Sequence, residues 1–323
     1  MRLVDDRPEL ADPGLVGHKF ARQTRMRHHG LPVPGFFCLT GTAFAELTPP
    51  ATAFPGPGAD PTELLTWAAA NRARILGVEL PAELVREVLS AFDALAGADG
   101  LVAVRACAVA QADGSGEDGA DDPFAGLSDS YLYVARDAVP ARIVDCWASA
   151  YNPEAVLYRV RRGLDPAAVK IAVGVQRMIP GVRSFVAFTR DPRTGADRRV
   201  IAAGYGIGEG IVQEKADVDH FFVDGATGAI DVEAVPKTTM VGLDPDRPGD
   251  GPVPLPVAVG RALAPVLSLA EVREIWASRP WSRSPVPAPR SRTARPWRST
   301  AAPAWCGCCP KPNSKHPWSS KCA

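Results

Sequence analysis

Four stretches of this chain combine residue types that chemistry can use. In Phe124-Ala125-Gly126-Leu127-Ser128-Asp129-Ser130, the glycine lets backbone approach a phosphate while hydroxyls and amides nearby donate hydrogen bonds; taken alone, the stretch reads as an ordinary hairpin turn. Arg105 closes the apolar run Leu101-Val102-Ala103-Val104, the pattern of a buried strand that delivers one charged side chain at its end. Gly204-Tyr205-Gly206-Ile207-Gly208-Glu209-Gly210 is dense in glycine. It fits neither the dinucleotide fingerprint nor the P-loop, which needs Lys and then Ser or Thr after its last glycine, so by itself it is a turn. His28-His29 reads as a solvated surface pair, because neighbours on a helix point apart and no Cys or carboxylate stands at ligand spacing.

The elements that must position these residues follow from periodicity. A helix is expected over residues 17–26, and Gly30-Leu31-Pro32-Val33-Pro34-Gly35 then forbids its continuation and leads into a strand over 36–39. Residues 48–61 form a Pro/Gly-rich connector, after which 62–76 and 82–95 show helical spacing, the first opened by Asp60-Pro61. Residues 111–122 are an acidic, glycine-rich loop. A helix over 143–161 is interrupted at Asn152-Pro153, and strands follow over 172–176 and 184–189, the latter ended by the turn Asp191-Pro192-Arg193-Thr194-Gly195. Strands and helices mix without regular alternation, which predicts an α+β fold.

Composition sets the outer limits. With 323 residues and 46% hydrophobic content the chain can bury a real core. Thirty-six basic residues balance thirty-six acidic ones, so no net field favours nucleic acid or an anionic membrane as partner. No apolar run reaches the roughly 20 residues of a membrane span, and the charged N-terminus lacks the pattern of a signal peptide; a cytoplasmic location is expected. Cys38, Cys107 and Cys146 stand singly in apolar segments and read as buried thiols, whereas the other four cysteines fall after residue 300.

Order and spacing over most of the chain add more than any single motif. Gly17-His18-Lys19, Leu31-Pro32-Val33-Pro34-Gly35-Phe36, Val104-Arg105, Glu117-Asp118, Phe124-Ala125-Gly126, Cys146-Trp147-Ala148-Ser149, Tyr158-Arg159, Val175-Gln176-Arg177-Met178, Phe188-Thr189-Arg190-Asp191-Pro192 and Gly206-Ile207-Gly208-Glu209 occur in this order. Over roughly residues 14–230 the chain closely resembles the N-terminal domain of the phosphoenolpyruvate synthase, pyruvate phosphate dikinase and rifampicin phosphotransferase family. The resemblance implies an ATP-grasp-like domain of two lobes that binds ATP with Mg2+ and passes a phosphoryl group to a histidine on a separate swivelling domain. By the same resemblance, Lys19 and Arg105 contact the phosphates and serve catalysis, Gly126 and Ser130 belong to the loop that closes over them, and Gln176 bonds adenine. Glu209 receives no defined role.

The chain also departs from the family pattern. His18 stands in place of a glycine, Ala106-Cys107 replaces a pair of serines, and the loop over 111–122 is longer than usual. The Glu that holds magnesium in the family and its Gln-x-Arg strand have no counterpart, which leaves metal and phosphate binding incomplete. The ATP-binding domain is expected over residues 1–275. From about Trp276 the composition turns to Trp, Arg, Ser, Pro and Ala without periodicity, which predicts a disordered tail over 276–323, and a reading-frame change near 276 is the expected cause. A phosphohistidine or acceptor-binding domain would then come from elsewhere. Two alternatives stay open: a fragment of an antibiotic kinase or secondary-metabolite ligase, and a non-catalytic nucleotide-binding remnant.

Overall fold

Apolar residues in five short segments of the first 180 residues cannot each bury themselves alone, and the fold solves this by pairing strands at long range and covering them with helices. The computed structural model describes residues 3–5, 7–109, 128–244, 246 and 251–277. They divide into two compact units, Met1–Ile179 with Asp246–Gly251, and Pro180–Pro245 with Pro252–Ala323. The loop expected over 111–122, Gly126, and the tail from residue 278 lie outside the described residues.

The first unit runs β1 (Leu3–Asp5), α1 (Pro13–His28), β2 (Phe36–Leu39), α2 (Gly41–Leu47), α3 (Pro61–Leu76), α4 (Ala82–Ala96), β3 (Val102–Ala108), β4 (Ser130–Val134), α5 (Val139–Ala148), α6 (Pro153–Arg161) and β5 (Ile171–Arg177). Its five strands form one antiparallel sheet in the order β1-β2-β5-β3-β4. Because side chains alternate along a strand, register sorts them into two faces. Phe37, Leu39, Val102, Val104, Ala106, Val173 and Val175 join the main core with Phe44, Trp67, Ile75, Val88, Phe92, Ile143 and Trp147 from the helices. Each such large side chain contributes about 1.5–3 kcal/mol when fully buried. On the other face lie Phe36, Cys38, Ala103, Arg105, Cys107, Gly174 and Gln176, and α1 covers part of it through Val16, Phe20 and Ala21.

Local chemistry explains where the helices start. Asp60 accepts a hydrogen bond from Thr62 N at 2.8 Å and Pro61 occupies the first turn, so α3 begins where the Pro/Gly connector ends. The connector is tied to that helix: Trp67 Nε1 donates to Thr52 O, and Asn71 exchanges two hydrogen bonds with Thr52. The helix expected over 143–161 is two helices, α5 and α6, separated by a 3-10 turn over Ser149–Tyr151 and by Pro153, as the interruption required.

The second unit contains β6 (Arg183–Phe188), β7 (Arg198–Tyr205), α7 (Gly208–Val212), β8 (Val218–Asp224), β9 (Ile230–Glu233), β10 (Thr239–Leu243), β11 (Pro252–Pro256), α8 (Val259–Ala262) and α9 (Leu269–Ala277). Strands β6 to β9 form an antiparallel meander in chain order, and β10 pairs with β11. Ala187, Ile201, Phe221 and Val223 of the meander bury against Val266, Leu267 and Val272. Both units combine helices with antiparallel sheets, so the architecture is α+β. Among the described residues no helix is long and apolar enough to cross a membrane.

Candidate functional site

Helix α1 starts at Pro13, earlier than the spacing predicts, because Asp12 caps it by accepting from Gly14 N at 2.7 Å. It then breaks at Gly17, whose φ of 76° and ψ of 162° lie outside the helical region, and resumes at His18. Glycine is demanded here twice over. A Cβ at this position would stand 2.4 Å from Cys107 Sγ, and the left-handed φ penalises any L side chain. The break sets Lys19 in the first turn of the resumed helix, where its Nζ donates to Ala106 O of β3 at 2.9 Å.

Arg105 precedes that carbonyl on β3. Its register neighbours are Ser130 at the start of β4 and Gly174 on β5. Gly174 is small because the Phe20 ring of α1 occupies the space above it; an added Cβ would fall 2.1 Å from that ring. Arg105 is half-buried, and among the described residues nothing bonds or pairs with its guanidinium. The sheet therefore carries a guanidinium with five donor N–H groups, none of them engaged among the described residues. Ser130 is exposed beside it. The resemblance implies a loop for Ser130, whereas Ser130-Tyr131-Leu132-Tyr133-Val134 is a strand, as its aromatic and branched residues favour.

Gln176 sits on the same face, opposite Ala103, two residues or about 7 Å along β3 from Arg105. It is buried, and its Nε2 donates to Gln23 Oε1 at 2.6 Å and to Pro34 O at 3.4 Å. The structure thus brings Lys19, Arg105, Ser130 and Gln176 onto one face of one sheet. Behind β4, the Asp129 carboxylate accepts from Asn152 Nδ2 at 2.8 Å and from Tyr131 Oη at 3.3 Å. Burial, followed by the Asp129 charge, pushes the Tyr131 hydroxyl well above the usual tyrosine range, so it stays a donor.

Two departures from the family pattern acquire a physical reading. Ala106 points into the main core and Cys107 lies under Gly17, both fully buried. Serines there would place hydroxyls inside packing, and the group that reaches Lys19 is the backbone carbonyl of residue 106. Cys38, Cys107 and Cys146 are buried free thiols, as expected. The motif Cys146-Trp147-Ala148-Ser149 supports the core: Trp147 is fully buried and Ser149 Oγ donates to Cys146 O at 2.7 Å. Arg159 is buried, donating to Ala155 O at 3.1 Å and to Ala150 O.

In the second unit the glycine-dense stretch is structural packing. Gly206 has φ 82°, and a Cβ there would meet Val241 O at 2.1 Å; Ile207 N donates to that same oxygen at 2.9 Å. Glu209 accepts from Gln213 Nε2 at 2.7 Å within α7. Sequence reasoning missed a fully buried ion pair, Lys237 Nζ to Asp219 Oδ1 at 2.8 Å and Oδ2 at 3.0 Å. The amides of Val235 and Val266 complete the Asp219 carboxylate at 3.0 and 2.7 Å. No spacing rule signals a pair 18 residues apart; the faint sign is a lone Lys between the apolar stretches Ala234-Val235-Pro236 and Met240-Val241.

A family model described as pyruvate phosphate dikinase, AMP/ATP-binding domain, matches residues 13–278. The chain belongs to this family. The chain is 35% identical over 223 residues to the prodigiosin synthesizing transferase PigC of Serratia marcescens, covering 68% of this chain and 23% of that protein. It is 30% identical over 232 residues to a probable phosphoenolpyruvate synthase of Methanothermobacter thermautotrophicus, covering 68% and 33%. With a rifampicin phosphotransferase of a Streptomyces species it shares 35% identity over 235 residues, covering 68% and 26%. The chain thus spans about a quarter to a third of the length of these curated relatives. As a pyruvate phosphate dikinase-type AMP/ATP-binding domain it is an ATP-binding domain, and the matched region takes in both compact units.

Proposed function

We propose that this ATP-binding domain is of the ATP-grasp type and takes a phosphoryl group from ATP, as in phosphoenolpyruvate synthase. The observation that carries the reading is Arg105: a half-buried guanidinium without a partner among the described residues, next to the carbonyl that anchors Lys19. An unpaired cation in a half-buried setting is costly unless an anion completes it. In this reading Lys19 and Arg105 hold the phosphates and offset the charge that builds on the transferred group. Ser130 donates from the strand beside them, and Gly126, outside the described residues, is assigned a backbone donor's role by the family resemblance. Gln176 meets adenine at the other end of the face, where its buried amide is already oriented by Gln23. ATP supplies the phosphoryl group. Mg2+ accompanies it on the triphosphate, since this ion is held largely by phosphates and water with few protein carboxylates. A histidine on a separate domain or protein then receives the phosphoryl group.

A second reading concerns the acceptor. The 35% identities are with a prodigiosin synthesizing transferase and a rifampicin phosphotransferase, against 30% with the phosphoenolpyruvate synthase named above. These values favour an acceptor from specialised metabolism, with the same nucleotide site. Thermal unfolding with and without magnesium-ATP tests the shared part. At 100 times Kd the nucleotide adds about 2.7 kcal/mol, and Arg105→Ala should remove that gain. An unchanged melting temperature in wild type would reduce the protein to a non-binding remnant.

A further inference from the structure

Helix α1 carries no acidic residue along its 16 positions, yet bears Lys19, Arg22, Arg25 and Arg27, with His29 at its cap. Arg27 lies over the Phe36 ring at 5.8 Å. Arg22, Arg25 and His29 follow one another at i, i+3 and i+7, so they form a row on the helix face turned away from Phe20, Gln23 and Thr24, which are buried. Arg25 and His29 are exposed and Arg22 is half-exposed. Among the described residues none of the three side chains has an ion-pair or hydrogen-bond partner. The row begins three residues beyond Lys19. From Lys19 to Arg25 it covers about 9 Å of helix, within one Debye length at 0.1 M salt, about 10 Å.

We infer that this row is an electrostatic approach path that steers the nucleotide's triphosphate towards Lys19 and Arg105, an inference that rests on the proposed ATP site. Four features point that way. The chain has no net charge, so a one-sign row is a local feature. It begins three residues from Lys19, which is proposed to hold the phosphates. It has no internal anion to neutralise it. Stabilisation of the helix dipole accounts for cations in the last turn, Arg25 among them, but not for Arg22, one turn earlier. Like charges within about one Debye length of a site act on association rate more than on the bound state.

The test is stopped-flow association of the full chain with a fluorescent N-methylanthraniloyl ATP, comparing wild type, Arg22→Gln/Arg25→Gln and Arg105→Ala. The double variant should associate about threefold to tenfold more slowly at low ionic strength, with dissociation unchanged. The difference should vanish near 1 M salt, where the screening length falls to about 3 Å. Arg22→Gln alone should carry part of the slowing. Equal association rates at low salt, or a loss confined to dissociation, would overturn the steering role. Nucleotide binding that is abolished by Arg105→Ala but untouched in the double variant overturns steering alone. No association with wild type overturns it together with the nucleotide site.

Discussion

Both compact units contain ion pairs, Arg136 with Asp93 and Arg142 with Asp145 in the first, yet they differ in the charge left over. In the second, the prominent ionic groups are used up internally: Asp219 with Lys237, Asp191 with Arg198, and Glu271 with Arg183. In the first, Arg105 and the row on α1 stand without partners among the described residues, while the core beneath them is apolar. Paired charge fixes a shape; in the proposed reading, the unpaired charge of the first unit serves the ligand. The contrast separates residues whose loss should unfold the protein from those whose loss should silence it.

The largest effect belongs to the paired side. Lys237→Ala strands the Asp219 carboxylate in a fully buried position and should cost about 3–5 kcal/mol in urea unfolding. Replacing both partners by apolar residues should cost less than the single change; a double variant as unstable as the single would remove the pair from this account. Arg105→Ala is the counterpart. It should shift unfolding without nucleotide by no more than about 0.5 kcal/mol, although it abolishes the nucleotide-dependent gain.

Gly17→Ala sits between the two kinds. The collision with Cys107 Sγ and the φ of 76° should together cost about 1–3 kcal/mol. Adding Cys107→Ala should restore only the steric share, because the left-handed backbone remains. Full recovery would mean that backbone conformation contributes nothing there. The smallest effect is a pH dependence on the paired side. Hydrogen bonds from Arg183, then from the Ser268 amide and hydroxyl, lower the Glu271 carboxyl to about 2 from an ordinary 4.5. A depressed carboxylate stabilises the fold above its unfolded pKa and loses that contribution as pH falls through the folded one. Glu271→Gln should therefore be less stable than wild type at pH 6, with the gap closing as pH falls from about 4.5 towards 2; a gap independent of pH would assign the loss to packing.

What could be read from the sequence follows the same division. The strand over 36–39 appears with those bounds, and the runs over 101–105 and 172–176 appear as Val102–Ala108 and Ile171–Arg177, because uninterrupted apolar stretches identify buried strands. Strands β7 and β8 escaped notice since Arg198-Arg199 and Asp219-His220 interrupt the alternation with charges that tertiary pairing later absorbs. Strand β4 was hidden behind a glycine-rich approach that reads as a loop. Lys19 and Arg105 could be named from family spacing, but the partner of Lys19 is a backbone carbonyl and that of Gln176 is a side chain 153 residues away. Neither contact leaves a local pattern. The role of Ala106-Cys107 was likewise invisible until alternation along β3 assigned one residue to each face.

One feature of the first sheet bears on how the protein comes into being. Its central strand, β5, is the last of the five along the chain, placed between β2 and β3. During synthesis the pairs β1/β2 and β3/β4 can form, but the gap between them stays open until residue 177 has emerged, so the long-range pairings that dominate slow folding come at the end. A chain stopped short of that strand already carries Lys19 and Arg105, yet lacks the strand that joins the two halves of the sheet beneath them.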